Sequence, residues 1–214
     1  MLKNSAEQSI RRMGAEETHS RMKEIRIHAR AGQGAITTAT ILGYAYFIEC
    51  KFPYAFPNFG AARMGAPMNA FVRVDNKPVR LRSQIYEPDY LLISDATLLR
   101  GFNCFKGFKD NGIAIINEHE DFPIPEHKPA QQIYVVPAQA IAMETIGRPL
   151  SNTALLGAFV AATSELKLDS LLESIKHRFS GKAAEQNLLA ARKGYDYIVP
   201  KKAAQPKKTL AVAK

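Results

Sequence analysis

Cysteine is scarce. Cys50 and Cys104 are the two in 214 residues, far apart and in no Cys-x-x-Cys spacing. That excludes a disulfide-stapled scaffold, and an iron–sulfur or zinc site built from this chain's own thiols. Long apolar runs are missing as well. None approaches the roughly 18 to 20 residues of a membrane span, and the first residues lack the apolar core of a secretion signal. No membrane span is expected, and a cytoplasmic location is. Catalytic constellations are absent too. The five histidines, His19, His28, His119, His127 and His177, share no metal-ligand spacing. Ser83, Ser94 and Ser151 lack a Gly-x-Ser-x-Gly context. The sequence shows no internal repeat.

What is present describes a folded chain. Hydrophobic residues make up 46% and charged residues 23%, the balance of a globular domain. The length suits one sizeable α/β domain. The net charge of +9 invites a nucleic-acid reading, but the lysines of residues 201–214 carry much of it and the body has only a modest excess, so no nucleic-acid binding is expected. The chain divides into an N-terminal extension (1–22), a domain (23–200) and a basic tail (201–214) of disordered composition. The extension has a possible helix around Ala6 to Arg12.

Within the domain, Lys23 to His28 alternates as a strand, and Ala35 to Cys50 has helical spacing. Lys51 to Pro67, punctuated by prolines and rich in aromatics, reads as a long ordered loop. Met68 to Val74 and Val79 to Arg82 flank a turn and predict a β-hairpin. Tyr90 to Ser94, Gly112 to Asn117 and Gln132 to Val136 predict further strands, with Asp95 capping a short helix through Arg100. Four helices follow: Ala138 to Ile146, Asn152 to Leu166, Leu168 to Phe179 and Lys182 to Tyr197. Asn152 reads as an N-cap, and Ser170 with Glu173 as a capping box. The alternation predicts an α/β three-layer domain with a mainly parallel sheet, a glycine loop after the first strand and C-terminal helices. Ligands of such sheets bind at the carboxyl edge, where Gly32-Gln33-Gly34 and Ser94-Asp95 would lie.

Gly32-Gln33-Gly34 joins a strand to a helix N-terminus. The first amides of a helix have no internal partner and carry partial positive charge, so a phosphate would fit there, with Arg30 adding a charge. Tight packing alone would also explain the glycines. The loop departs from the dinucleotide fingerprint, since the third glycine and the acidic strand end are missing, and no Walker lysine follows. Arg63 sits among small residues, suited either to ligand or subunit contact or to plain exposure. The loop thus reads as half of a site: it holds a ligand and shows no chemistry.

Four ordered stretches resemble one family. Gly32-Gln33-Gly34-Ala35, then Phe56-Pro57 with Phe59-Gly60, Arg63 and Gly65-Ala66-Pro67, then Arg82-Ser-Gln-Ile-Tyr-Glu-Pro-Asp-Tyr90, then Asn152-Thr153-Ala154-Leu155-Leu156-Gly157-Ala158-Phe159 are similar to the γ subunit of pyruvate:ferredoxin oxidoreductases and related 2-oxoacid:acceptor oxidoreductases. The likeness spans about Met22 to Tyr197. It implies oxidative decarboxylation of a 2-oxoacid to an acyl-coenzyme A. Thiamine diphosphate, Mg2+ and [4Fe-4S] clusters would sit in partner subunits (α, β and a ferredoxin-like δ), and electrons would pass to ferredoxin or, through another subunit, to NAD. The γ chain would help to bind coenzyme A and close the active site. By position, the resemblance implies contacts from Gly32, Gln33, Gly34, Arg63, Arg82, Ser83, Asn152 and Thr153. Ala29 and Ala31 stand where glycines are common in the family, and Met64 replaces a frequent second arginine. These departures suggest a specialised member, acting on pyruvate or on an aryl or branched 2-oxoacid such as phenylglyoxylate. The alternatives are a structural γ chain in a complex that does not use coenzyme A, and an independent nucleotide-binding domain.

Overall fold

The computed structural model describes residues 22–58, 63–120 and 126–204. The possible helix in the N-terminal extension, Phe59-Gly60 of the aromatic stretch and the tail from residue 205 lie outside the described residues.

A six-stranded sheet is the centre of the molecule. Its strands are β1 (Lys23–Arg30), β2 (Phe52–Asn58), β3 (Pro67–Asp75), β4 (Tyr90–Ile93), β5 (Ile113–Asn117) and β6 (Gln132–Val136), in the order β2-β3-β1-β4-β5-β6. β1, β4, β5 and β6 are mutually parallel, while β3 runs antiparallel to both β1 and β2. The mainly parallel α/β architecture expected from the sequence is thus observed.

Alternation along β1 sends Ile25, Ile27 and Ala29 into the main core and Arg26 and His28 to the other face. The core face carries α1 (Ala35–Ile48), α2 (Ala138–Thr145), α3 (Asn152–Thr163), α4 (Leu168–Arg178) and α5 (Gly181–Ala204). On the opposite face the covering layer is one 3-10 turn (Ala96–Arg100) and irregular chain, packed through Leu98, Cys104 and Phe108. The third layer is therefore thin and largely non-helical.

Two local readings are corrected. The stretch from Phe52 was expected to be loop, yet it forms β2 and pairs with β3 from Phe52↔Asp75 to Asn58↔Asn69. Its prolines, Pro53 and Pro57, are four residues apart and so lack their N–H on the same side, which an edge strand tolerates. Aromatic contacts support it: the Phe56 and Phe71 ring centroids lie 5.1 Å apart. The expected hairpin from Val79 to Arg82 does not form. Buried Arg73 instead donates to the Ser83 carbonyl at 2.6 Å and the Gln84 carbonyl at 3.1 Å, drawing that segment over the back of the sheet.

Helix ends also differ. Ser151 occupies the cap position of α3 in helical geometry, without a side-chain bond, so Asn152 is the first helical residue and not the cap. Lys167 precedes α4, which places Ser170 inside the first turn and removes the capping box. α5 continues through Ala204 with Pro200 inside, so Lys201 and Lys202 are helical where the basic tail was expected to begin. Among the described residues, no helix is long and apolar enough to cross a membrane.

Candidate functional site

β1 and β4 are adjacent and parallel, so the chain leaves both at the same sheet edge. There the Ser94 amide donates to the His28 carbonyl at 2.9 Å, and Asn117 at the end of β5 donates to the Ser94 carbonyl at 3.1 Å. The glycine loop crosses this edge. Gly32 has φ 99° and Gly34 φ 80°, the left-handed region in which a Cβ is unfavourable.

Gln33 holds the loop in shape. Its side-chain oxygen accepts the Arg30 amide at 2.8 Å, and its Nε2 donates to Asp95 Oδ2 at 2.8 Å. Arg30 Nε donates to the same carboxylate oxygen at 3.1 Å, and its Nη2 to the Thr97 hydroxyl at 2.8 Å. Burial alone would push the Asp95 carboxyl up. Hydrogen bonds from the Thr97 hydroxyl, the Gln33 amide and the Thr97 backbone, with the Arg30 charge, outweigh it and hold the group below its usual range. The Arg30 charge expected to face a phosphate is thus largely committed to Asp95.

The turn carrying Arg63 is stitched to this loop. The Gly65 amide donates to the Ala31 carbonyl at 3.0 Å, and the Ala31 amide to the Ala66 carbonyl at 2.8 Å. Arg63 is exposed. Met64 reaches over Gly32, where an added Cβ would lie 2.5 Å from its sulfur.

From the helical side, Asn152 completes the enclosure. It is 6% exposed, and a Cβ on Gly34 would lie 3.0 Å from its Nδ2. No other described residue hydrogen-bonds its side-chain amide. Two helices therefore begin at one place. In α1 the first internal bond runs from the Thr38 amide to Gly34, and in α3 the Leu155 amide bonds Ser151. The preceding amides of each helix have no helical partner. Neither helix has a side-chain cap or an acid in its first turn. Two such ends present roughly half a positive charge each to whatever lies between them.

The structure thus brings together Gly32, Gln33, Gly34, the Arg63 turn, Asn152 and the Thr153 backbone. The Thr153 hydroxyl is engaged elsewhere, donating to Asn187 on α5 at 3.0 Å. Arg82 and Ser83 are not brought in. Arg82 stacks on Tyr54, 3.9 Å from its ring centroid, and Ser83 is tied to Arg73, which pairs with Glu24 near the start of β1. Six residues of strand separate that level from Arg30, about 20 Å at ~3.3 Å per residue. Asp95 was missed as a loop-holding residue. Its position after a central strand, at the edge where ligands bind, was the available signal, but its hold on Gln33 and Arg30 was not read from it. Among the described residues, no three His, Cys, Asp or Glu side chains cluster as a metal site would require.

Residues 24–197 match the family described as pyruvate ferredoxin/flavodoxin oxidoreductase. The chain belongs to that family. Its place within the family is among the γ-type subunits. The γ-type chain is 46% identical over 178 residues to the pyruvate/ketoisovalerate oxidoreductases common subunit gamma of Pyrococcus furiosus, covering 82% of this chain and 96% of that one. It is 45% identical over 177 residues to pyruvate synthase subunit PorC of Methanothermobacter thermautotrophicus, covering 83% and 96%. The crystal structure of pyruvate oxidoreductase subunit PORC from Thermotoga maritima superimposes with a TM-score of 0.71 at 34% identity, over 82% of this chain and 96% of that chain.

Proposed function

We propose that this chain is the coenzyme A-binding γ subunit of a 2-oxoacid:acceptor oxidoreductase, converting pyruvate or an aryl or branched 2-oxoacid such as phenylglyoxylate to its acyl-coenzyme A. The observation that carries the reading is the meeting of two uncapped helix N-termini at Gly34 and Asn152, with no acid in either first turn. A phosphate of coenzyme A would accept from the free amides and from the Asn152 Nδ2. Gly32 and Gly34 keep the backbone open to it, and Arg63 stands at the rim as an exposed cation. Arg82 and Ser83 have no part in this site.

Following the family resemblance, the reading assigns thiamine diphosphate, Mg2+ and the [4Fe-4S] clusters to α, β and ferredoxin-like δ partners. Thiamine chemistry there would take up the acyl group, and the acceptor would be ferredoxin or NAD through a further subunit. This chain's own contribution is to bind and orient the thiol carrier and to wall off water. Burial foremost, and then the Arg26 charge, push His28 down to about 3, leaving its ring neutral. Calorimetric titration of the intact complex with coenzyme A is expected to show saturable binding that weakens several-fold in Arg63→Ala. No saturable binding would leave the alternative, a structural γ chain in a complex that does not use coenzyme A.

A further inference from the structure

The back of the sheet holds a second cavity, of about 350 Å³, between β1, β3 and the irregular layer. Its floor is Arg26, which is 7% exposed. The guanidinium donates to the Cys104 carbonyl at 3.0 Å and the Lys106 carbonyl at 2.7 Å, and its Nε donates to His28 Nε2 at 3.1 Å. Its Nη1 makes only one long contact, 3.4 Å to the Ile85 carbonyl. All of these acceptors are neutral. Among the described residues no carboxylate pairs with Arg26, and no Asp or Glu lines the cavity. Lys106 adds a second cation to the lining. A buried charge is ordinarily paired, because desolvating it alone is unfavourable.

The rest of the lining sets what kind of anion would fit. Phe71, Leu98 and Phe102 supply apolar walls, and Asn69 and Gln84 supply amides. A bare inorganic anion would leave those walls wetted. A carboxylate with an apolar body would place its two oxygens at Arg26 Nη1, whose one contact is the long bond to Ile85, and at Lys106, and its body against the walls.

We infer that this back-face cavity is a binding site for a small organic acid with an apolar body, its carboxylate held by Arg26 and Lys106. The site lies across the sheet from the helix N-termini and stands independently of the coenzyme A reading.

Titration of the full-length chain with phenylacetate tests it, with phenylacetamide as the uncharged isostere and inorganic phosphate as the bare anion. Saturable binding of phenylacetate is expected, at least tenfold tighter than either control. Lys106→Glu, at an exposed position, is expected to abolish the preference without loss of the folded state. Arg26→Met is expected to do the same where circular dichroism shows it folded, and Lys106→Glu alone decides where it does not. Equal affinity for phosphate or for the amide, or phenylacetate binding unchanged in Lys106→Glu, would overturn the inference. So would displacement of phenylacetate by coenzyme A, which would make the cavity part of the other site.

Discussion

Asp95 gathers four donors, from Arg30, Gln33 and the backbone and hydroxyl of Thr97, and the same contacts that keep it charged also shape the glycine loop. Its folded pKa lies below the ordinary aspartate value. The stability it contributes is therefore present above the unfolded value, near ~3.9, and is lost as pH falls through the folded value. Asp95→Asn is expected to lower stability at pH 7 by about 1 kcal/mol, because one carboxylate oxygen becomes a donor and the contacts from Arg30 and Gln33 are lost while the cap is kept. It is also expected to flatten the fall in melting temperature between roughly pH 5 and pH 3. Thermal melts across that range check both, and an unchanged acid slope would count against the assigned role. Tyr46 is a simpler case. Its hydroxyl is buried with no hydrogen-bond partner among the described residues, so Tyr46→Phe is expected to be neutral or stabilising by up to about 1 kcal/mol in chemical denaturation. A loss of more than that would mean the hydroxyl has a partner.

Among the elements, α3 is the one on which the site depends most. Residues 151–162 are all buried, and α3 approaches α5 backbone to backbone. A Cβ on Gly157 would meet the Ala191 carbonyl oxygen at 1.8 Å, and one on Gly194 the Ala154 carbonyl oxygen at 2.0 Å. Gly157→Ala must push the helices apart, and overpacking of this kind typically destabilises by about 1–3 kcal/mol or more. Because Asn152 and Thr153 begin α3, the same change is expected to weaken ligand binding beyond its effect on folding. Denaturant titration alongside coenzyme A titration separates the two effects, and an unaltered midpoint would contradict the close packing. Elements of this kind were legible in the sequence because burial imposes its pattern directly: continuous apolar runs for β4 and β5, helical spacing for α1 and α3, glycines between strand and helix. β2 was not legible, since two prolines among aromatics look the same in a loop and in an edge strand. The false hairpin had a similar cause. Alternation from Val79 to Arg82 is local, whereas the pull of buried Arg73 on Ser83 and Gln84 is tertiary. Arg82 and Ser83 came into the expected site from the family resemblance, and the structure sets them about six strand residues from Arg30, outside the cluster at the glycine loop.

At the level of the whole molecule, the described residues combine the proposed ligand edge with exposed apolar side chains. Phe47, Met64, Tyr86 and Phe102 are each more than half exposed, and Met64 and its turn adjoin the glycine loop. Both features fit one wall of a shared active site. The family assignment was legible because four motifs kept their order along the chain. The geometry around Asn152 was not, because the contact between Gly34 and Asn152 joins residues more than a hundred positions apart. The central claim is that two helix N-termini hold a phosphate of coenzyme A, and one substitution isolates it. Asn152→Asp keeps the side-chain shape and puts a negative charge in the first turn of α3, where it favours the helix and repels an anion. Calorimetric titration of the assembled complex with coenzyme A, wild type against this variant, is expected to show at least tenfold weaker binding with no fall in melting temperature. Unchanged affinity in a folded variant would contradict the account.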